Sequence, residues 1–107
     1  MKETKKLFVS QPMRGKTDLE IINERLEAVK LIEEKYPEYY WQVIDSFLDI
    51  SENKDPLWYL GKSIQLLGEA DLVIFMGAWN LSRGCRIENE CCVWYGIPHV
   101  TQTSLVF

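Results

Sequence analysis

The chain has 107 residues, 47% of them hydrophobic and 26% charged, with a formal net charge of -4. This is the profile of one ordinary globular domain spanning 1–107, large enough for a core of its own, and it excludes both disorder as the main state and a second core. No stretch approaches the roughly 18 consecutive apolar residues of a membrane span, so an intracellular, cytoplasmic protein without a membrane partner is expected.

The three cysteines, Cys85, Cys91 and Cys92, are odd in number, and none forms a Cys-x-x-Cys pair. A disulfide framework does not follow. Together with His99 they offer four soft ligands, but their spacing matches no zinc pattern, so buried thiols are expected and no metal or cofactor. Charge is unevenly spread. Residues 1–16 carry five basic and one acidic side chain, and 17–56 carry four and eleven. An anion site therefore belongs near the N-terminus, while the acidic middle argues against a nucleic-acid polymer as partner.

In chain order, Leu7-Phe8-Val9 is too short for a helix and suits a buried strand. A turn from Ser10 to Lys16 follows. Thr17 with Glu20 three residues on is a capping box, and Leu19, Ile22, Leu26, Val29 and Ile32 recur behind it, predicting a helix over 18–35 with those residues inward. Pro37 ends it, and Trp41 to Asp45 reads as a second strand. Asp55-Pro56 supplies an N-cap and first-turn proline for a helix with Leu57, Leu60, Ile64 and Leu67 as its apolar stripe, ending near Gly68. Within it, Gly61-Lys62-Ser63 imitates the end of a Walker A loop. The first glycine of that motif is replaced by Pro56 and no strand precedes it, so the match is discarded.

Asp71 to Met76 is the strongest strand, apolar on both faces as a central parallel strand is. A loop from Gly77 to Arg83 carries Trp79, and Ser82 caps a third helix with Ile87, Cys91 and Trp94 inward. Gly96 closes that helix, and Pro98 to Thr101 forms a last short strand. This alternation predicts an α/β fold: a small three-layer parallel sheet of four to five strands, helices on both faces, in flavodoxin-like or Rossmann-like order. With strand one between strands two and three, the strand order reverses between strands one and three. The loops Ser10 to Lys16 and Gly77 to Arg83 then face a common cleft.

Arg14, Gly15 and Lys16 precede a helix N-terminus, where free N–H groups favour phosphate; a solvated turn is the alternative. Glu88 lies about one turn inside the third helix, near the same cleft or as a surface carboxylate on the helix dipole. Trp58, Tyr59 and Trp79 are the aromatic residues that could stack on a base, Trp79 foremost because it lies in the cleft loop, and His99 reads as structural.

Ser10-Gln11-Pro12-Met13-Arg14-Gly15, Ala70-Asp71-Leu72-Val73-Ile74, Gly84-x-x-x-Glu88 and Tyr95-Gly96-Ile97-Pro98 together resemble the nucleoside 2-deoxyribosyltransferase superfamily, nearest to domain-of-unknown-function family 4406. The resemblance implies cleavage of an N-glycosidic bond in a nucleotide or nucleoside, with Glu88 attacking or stabilising C1' of the sugar. The second loop, Trp79-Asn80-Leu81-Ser82-Arg83, lacks the aspartate with which deoxyribosyltransferases handle the base. Met13-Arg14-Gly15 and Ser82-x-Gly84-x-x-x-Glu88 are instead similar to loops of deoxynucleoside 5'-monophosphate N-hydrolases. In that reading Arg14, Gly15 and Ser82 hold the 5'-phosphate, and Ser10, Gln11, Met13, Trp79 and Gly84 complete the substrate contacts. The candidate general acid is Asp45, at the end of strand two; Asp71 sits at the wrong end of its strand. A homodimer is implied by the same resemblance. A transferase, and a non-catalytic module binding a nucleotide or an ADP-ribose-like signal, are the alternatives.

Overall fold

A computed structural model describes residues 2–46 and 54–106. The elements in order are β1 (Glu3–Ser10), α1 (Asp18–Lys35), β2 (Tyr39–Val43), α2 (Pro56–Leu67), β3 (Leu72–Phe75), a short 3-10 turn (Trp79–Leu81), α3 (Arg83–Tyr95), β4 (His99–Thr101) and α4 (Gln102–Val106). The four strands form one parallel sheet in the order β2-β1-β3-β4, so the strand order reverses between β1 and β3 as the sequence predicts.

Leu7 to Ser10 of β1 and the whole of β3 are buried on both faces, and their pleat sorts side chains into two cores. Leu7, Val9, Leu72, Ile74 and Met76 pack on one face with Ala28 and Ile32 of α1 and Leu105 of α4. Phe8, Val73 and Phe75 pack on the other with Leu67 of α2 and Cys85 and Cys92 of α3. The result is a three-layer α/β domain.

Local signals account for the helix ends. Thr17 and Glu20 form the reciprocal capping box of α1. Asp55 accepts from the Trp58 N–H at 2.8 Å, with Pro56 in the first turn of α2. Ser82 caps α3, whose chain leaves through Gly96 at φ 67°, a left-handed conformation glycine adopts without strain.

The structure corrects the predicted orientation of two helices. In α1 the buried residues are Ile21, Ala28 and Ile32, while Leu19 is 67% exposed and Ile22 and Leu26 also face out. In α3 they are Cys85, Glu88 and Cys92; Ile87 is exposed, Cys91 half-buried and Trp94 79% exposed. The cause is the same in both. Some inward positions carry charged side chains, Glu24 and Arg25 in α1 and Glu88 in α3, and hydrophobic periodicity counts such positions as outward. The second strand also begins two residues earlier than predicted, at Tyr39, and ends at Val43. No helix among the described residues is long and apolar enough to cross a membrane.

The two sides of α1 should respond differently to truncation. Ile32→Ala, at a fully buried position, should cost about 2–5 kcal/mol in urea unfolding, and Leu19→Ala no more than about 0.5 kcal/mol.

Candidate active site

β1 ends at Ser10, and the pleat that sends Phe8 toward α2 and α3 sends the Ser10 side chain the same way. There it meets Glu88, six residues beyond the Ser82 cap of α3. Glu88 is only 6% exposed, which excludes the surface-carboxylate alternative. The Ser10 hydroxyl donates to Glu88 Oε1 at 2.6 Å, and the Ser63 hydroxyl of α2 donates to Oε2 at 2.5 Å. Each carboxyl oxygen is thus held by one hydroxyl. Both lie at the short end of the O–H···O range.

The three side chains line a cavity of about 380 Å³. It opens where the carboxyl end of β1 meets the starts of α2 and α3, beside the reversal of strand order, which is where parallel α/β sheets hold ligands. Its wall includes Gln11, Met13, Ser46, Tyr59, Leu60, Ser82, Arg83 and Gly84. A side chain at Gly84 would come no closer than 3.9 Å to Leu60, so packing does not demand glycine there; its absent side chain keeps that wall open.

The loop after β1 is pinned from behind. The Gln11 amide donates to the Ile21 carbonyl at 3.1 Å and to Glu24 Oε1 at 3.0 Å, and its oxygen accepts from Arg25 Nε at 3.1 Å. Arg25 also donates to the Ile44 carbonyl at 3.4 Å and to the Ser46 hydroxyl at 3.2 Å, joining the loops that follow β1 and β2. Burial lowers the Arg25 pKa, and the charge of Asp45 partly offsets this. Lys16 pairs with Glu24 at 3.2 Å.

Of the residues singled out from sequence, Glu88, Ser10, Gln11, Met13, Ser82 and Gly84 come together on the cavity wall. Arg14 and Gly15 are exposed and lie off it; Gly15 has φ 80° in a tight turn. Trp79 is half-buried and packs on Phe75 with ring centroids 5.2 Å apart, against the core and off the cavity wall. Asp45 is exposed and also off the wall. Asp71 caps the other end of the sheet, accepting from the Lys6 N–H at 2.8 Å.

Sequence reasoning missed Ser63, Arg83 and Ser46, whereas Tyr59, one of the aromatic residues considered for stacking on a base, lies on the wall. Only Ser63 carries a signal in retrospect: it shares a face with Leu60 and Leu67, a small polar residue in an apolar stripe. Burial raises the pKa of Glu88, and the two hydroxyls pull it part of the way back. Burial likewise raises Cys85, and it pushes Cys92 up to about 11 together with the charges of Cys91 and Glu88. Both thiols therefore stay protonated at neutral pH. Among the described residues no group of three or more His, Cys, Asp or Glu is placed to hold a metal ion.

Fold and cavity define a class: a small parallel α/β domain with a buried, hydroxyl-clamped glutamate at its topological switch point. In comparisons with known proteins, no family model matches the chain and no curated protein matches it significantly.

An acid whose pKa is raised on folding binds protons more readily folded than unfolded. Its ionisation therefore lowers stability as pH rises through the folded-state value. Glu88→Gln should raise the melting temperature at pH 7, and the gain should vanish below about pH 4, where the unfolded carboxyl is protonated too. Thermal unfolding across that range reads the difference.

Proposed function

We propose that this protein is a nucleotide N-glycosidase that cleaves the base–sugar bond of (deoxy)nucleoside 5'-monophosphates through Glu88. The observation that carries this reading is the buried carboxylate on the cavity wall, oriented by a hydroxyl on each oxygen. Departure of the base with the C1'–N electron pair leaves an oxocarbenium-like centre. A carboxylate beneath it either stabilises the charge or bonds to C1', as in retaining glycosidases. Water then gives its hydroxyl to C1', and the released base carries the proton. A desolvated carboxylate serves this chemistry better than a hydrated one, because its charge is little screened.

The cavity volume of about 380 Å³ lies in the range of small-ligand sites. In this reading Tyr59 and Leu60 supply the face for the base. The 5'-phosphate goes to Arg83 and Ser82 at the start of α3, where N–H groups and the helix dipole favour an anion. Arg83 takes the part the sequence suggested for Arg14, since it lies on the wall and Arg14 does not. The resemblance to the nucleoside 2-deoxyribosyltransferase superfamily points the same way, and a cytoplasmic homodimer belongs to the proposal. Ile87, Trp94 and Tyr95 form an exposed apolar strip on α3 that a second copy would cover. Sedimentation should show a dimer that Trp94→Glu dissociates.

The direct test is chromatographic detection of free base after incubation with ribo- and deoxyribonucleoside monophosphates, nucleosides and NAD. Release from monophosphates is expected. Glu88→Ala should reduce it at least about a hundredfold while nucleotide binding persists, and Arg83→Ala should raise KM for monophosphates more than Arg14→Ala does. Release only with an added acceptor base would make the protein a transferase. Binding without turnover would make it a nucleotide-binding module.

A further inference from the structure

The hydroxyls on Glu88 arrive from two different layers. Ser10 ends a central strand, whereas Ser63 belongs to α2, the helix that supplies the opposite wall of the cavity through Pro56, Leu57, Tyr59 and Leu60. We propose that Ser63 is a positioning residue for Glu88, its hydroxyl setting the plane of the carboxylate for reaction at the sugar. The inference rests on the glycosidase reading and adds to it a residue that the resemblance does not single out.

The terminal torsion of a glutamate is broad and roughly two-fold, so one hydrogen bond at Oε1 leaves the carboxylate free to swing about that contact. A second bond at Oε2 removes the freedom. A serine inside a helix commonly turns its hydroxyl back to a carbonyl of its own preceding turn. Ser63 instead donates across to α3 at 2.5 Å, from a half-buried position on the same face as Leu60 and Leu67. The donor has a second consequence: both hydroxyls favour the ionised carboxylate against the burial that disfavours it.

The other ionisable groups around Glu88 are few. α3 brings Cys85, Cys92 and Arg83, α2 brings Tyr59, and β1 brings only the neutral Ser10 and Gln11. Glu24 of α1 acts by charge on Cys85. Of the hydrogen bonds described, those from Ser10 and Ser63 are the ones to Glu88.

The experiment pairs a readout independent of activity with one that depends on it. Glu88 is titrated by carbon-detected NMR of its side-chain carboxyl in the intact protein, in Ser63→Ala and in Ser63→Thr. Its midpoint should rise by about one pH unit in Ser63→Ala and stay near the parent value in Ser63→Thr. In the base-release assay, Ser63→Ala should lower kcat about tenfold with KM changed less than about twofold. The acidic limb of its pH profile should move upward by the same unit. An unchanged midpoint in folded Ser63→Ala overturns the proposal, as does a loss confined to KM. If the parent protein releases no base, the glycosidase reading fails, and the titration alone decides whether Ser63 holds the carboxylate. Should Ser63→Ala lose its cooperative melt, Ser63→Cys, similar in size and a weaker donor, takes its place with the same expected direction.

Discussion

The pairing of β1 with β3 is the constraint from which the rest of the structure follows. Leu7 to Ser10 lie beside Leu72 to Phe75 in parallel register, and every one of these side chains is buried. Two adjacent strands buried on both faces require a layer of helices on each side, and parallel connections that cross the sheet supply them. With β2 outside β1 and β4 outside β3, the connections diverge at the boundary between the two central strands. A cavity opens at their carboxyl end because the chain leaves β1 for α1 on one face of the sheet and leaves β3 for α3 on the other. Ser10, the last residue of β1, is thereby a buried hydroxyl facing that cavity.

Burying the Glu88 carboxylate costs free energy, and the fold meets the cost with hydroxyls. Ser10 and Ser63 satisfy one oxygen each, and among the described residues no buried side-chain nitrogen or oxygen lacks a partner. The remaining penalty appears as the raised pKa of Glu88. Stability alone would favour an apolar or neutral residue at this position, so the buried acid is the feature on which the proposed function rests.

The charges of the first loop are used differently from those of the second. Glu24 takes the Lys16 ammonium and one Gln11 proton, while Arg25 ties Gln11 to Ser46 and the Ile44 carbonyl. This network braces the back of the cavity, and Arg14 is left outside it. Of the basic N-terminal segment, Lys16 secures the loop, and a cation that lines the cavity, Arg83, comes from the helix that carries the carboxylate.

Much of the fold was legible because its signals are local. Thr17 with Glu20, Asp55 with Pro56, Ser82 and Gly96 mark helix ends through hydrogen bonds and backbone angles within a few residues. The apolar runs of β1 and β3 announce strands buried on both faces, and the alternation of strand and helix announces a parallel sheet. The short spacing from Ser82 to Glu88 also made the glutamate a candidate without a structure. Which way α1 and α3 face, the bond from Ser63 to Glu88 and the retreat of Arg14, Trp79 and Asp45 from the cavity were settled only by tertiary packing. Each depends on partners far apart in sequence: a charged residue faces inward only where hydroxyls or amides from other elements meet it, and periodicity within one helix carries no record of them.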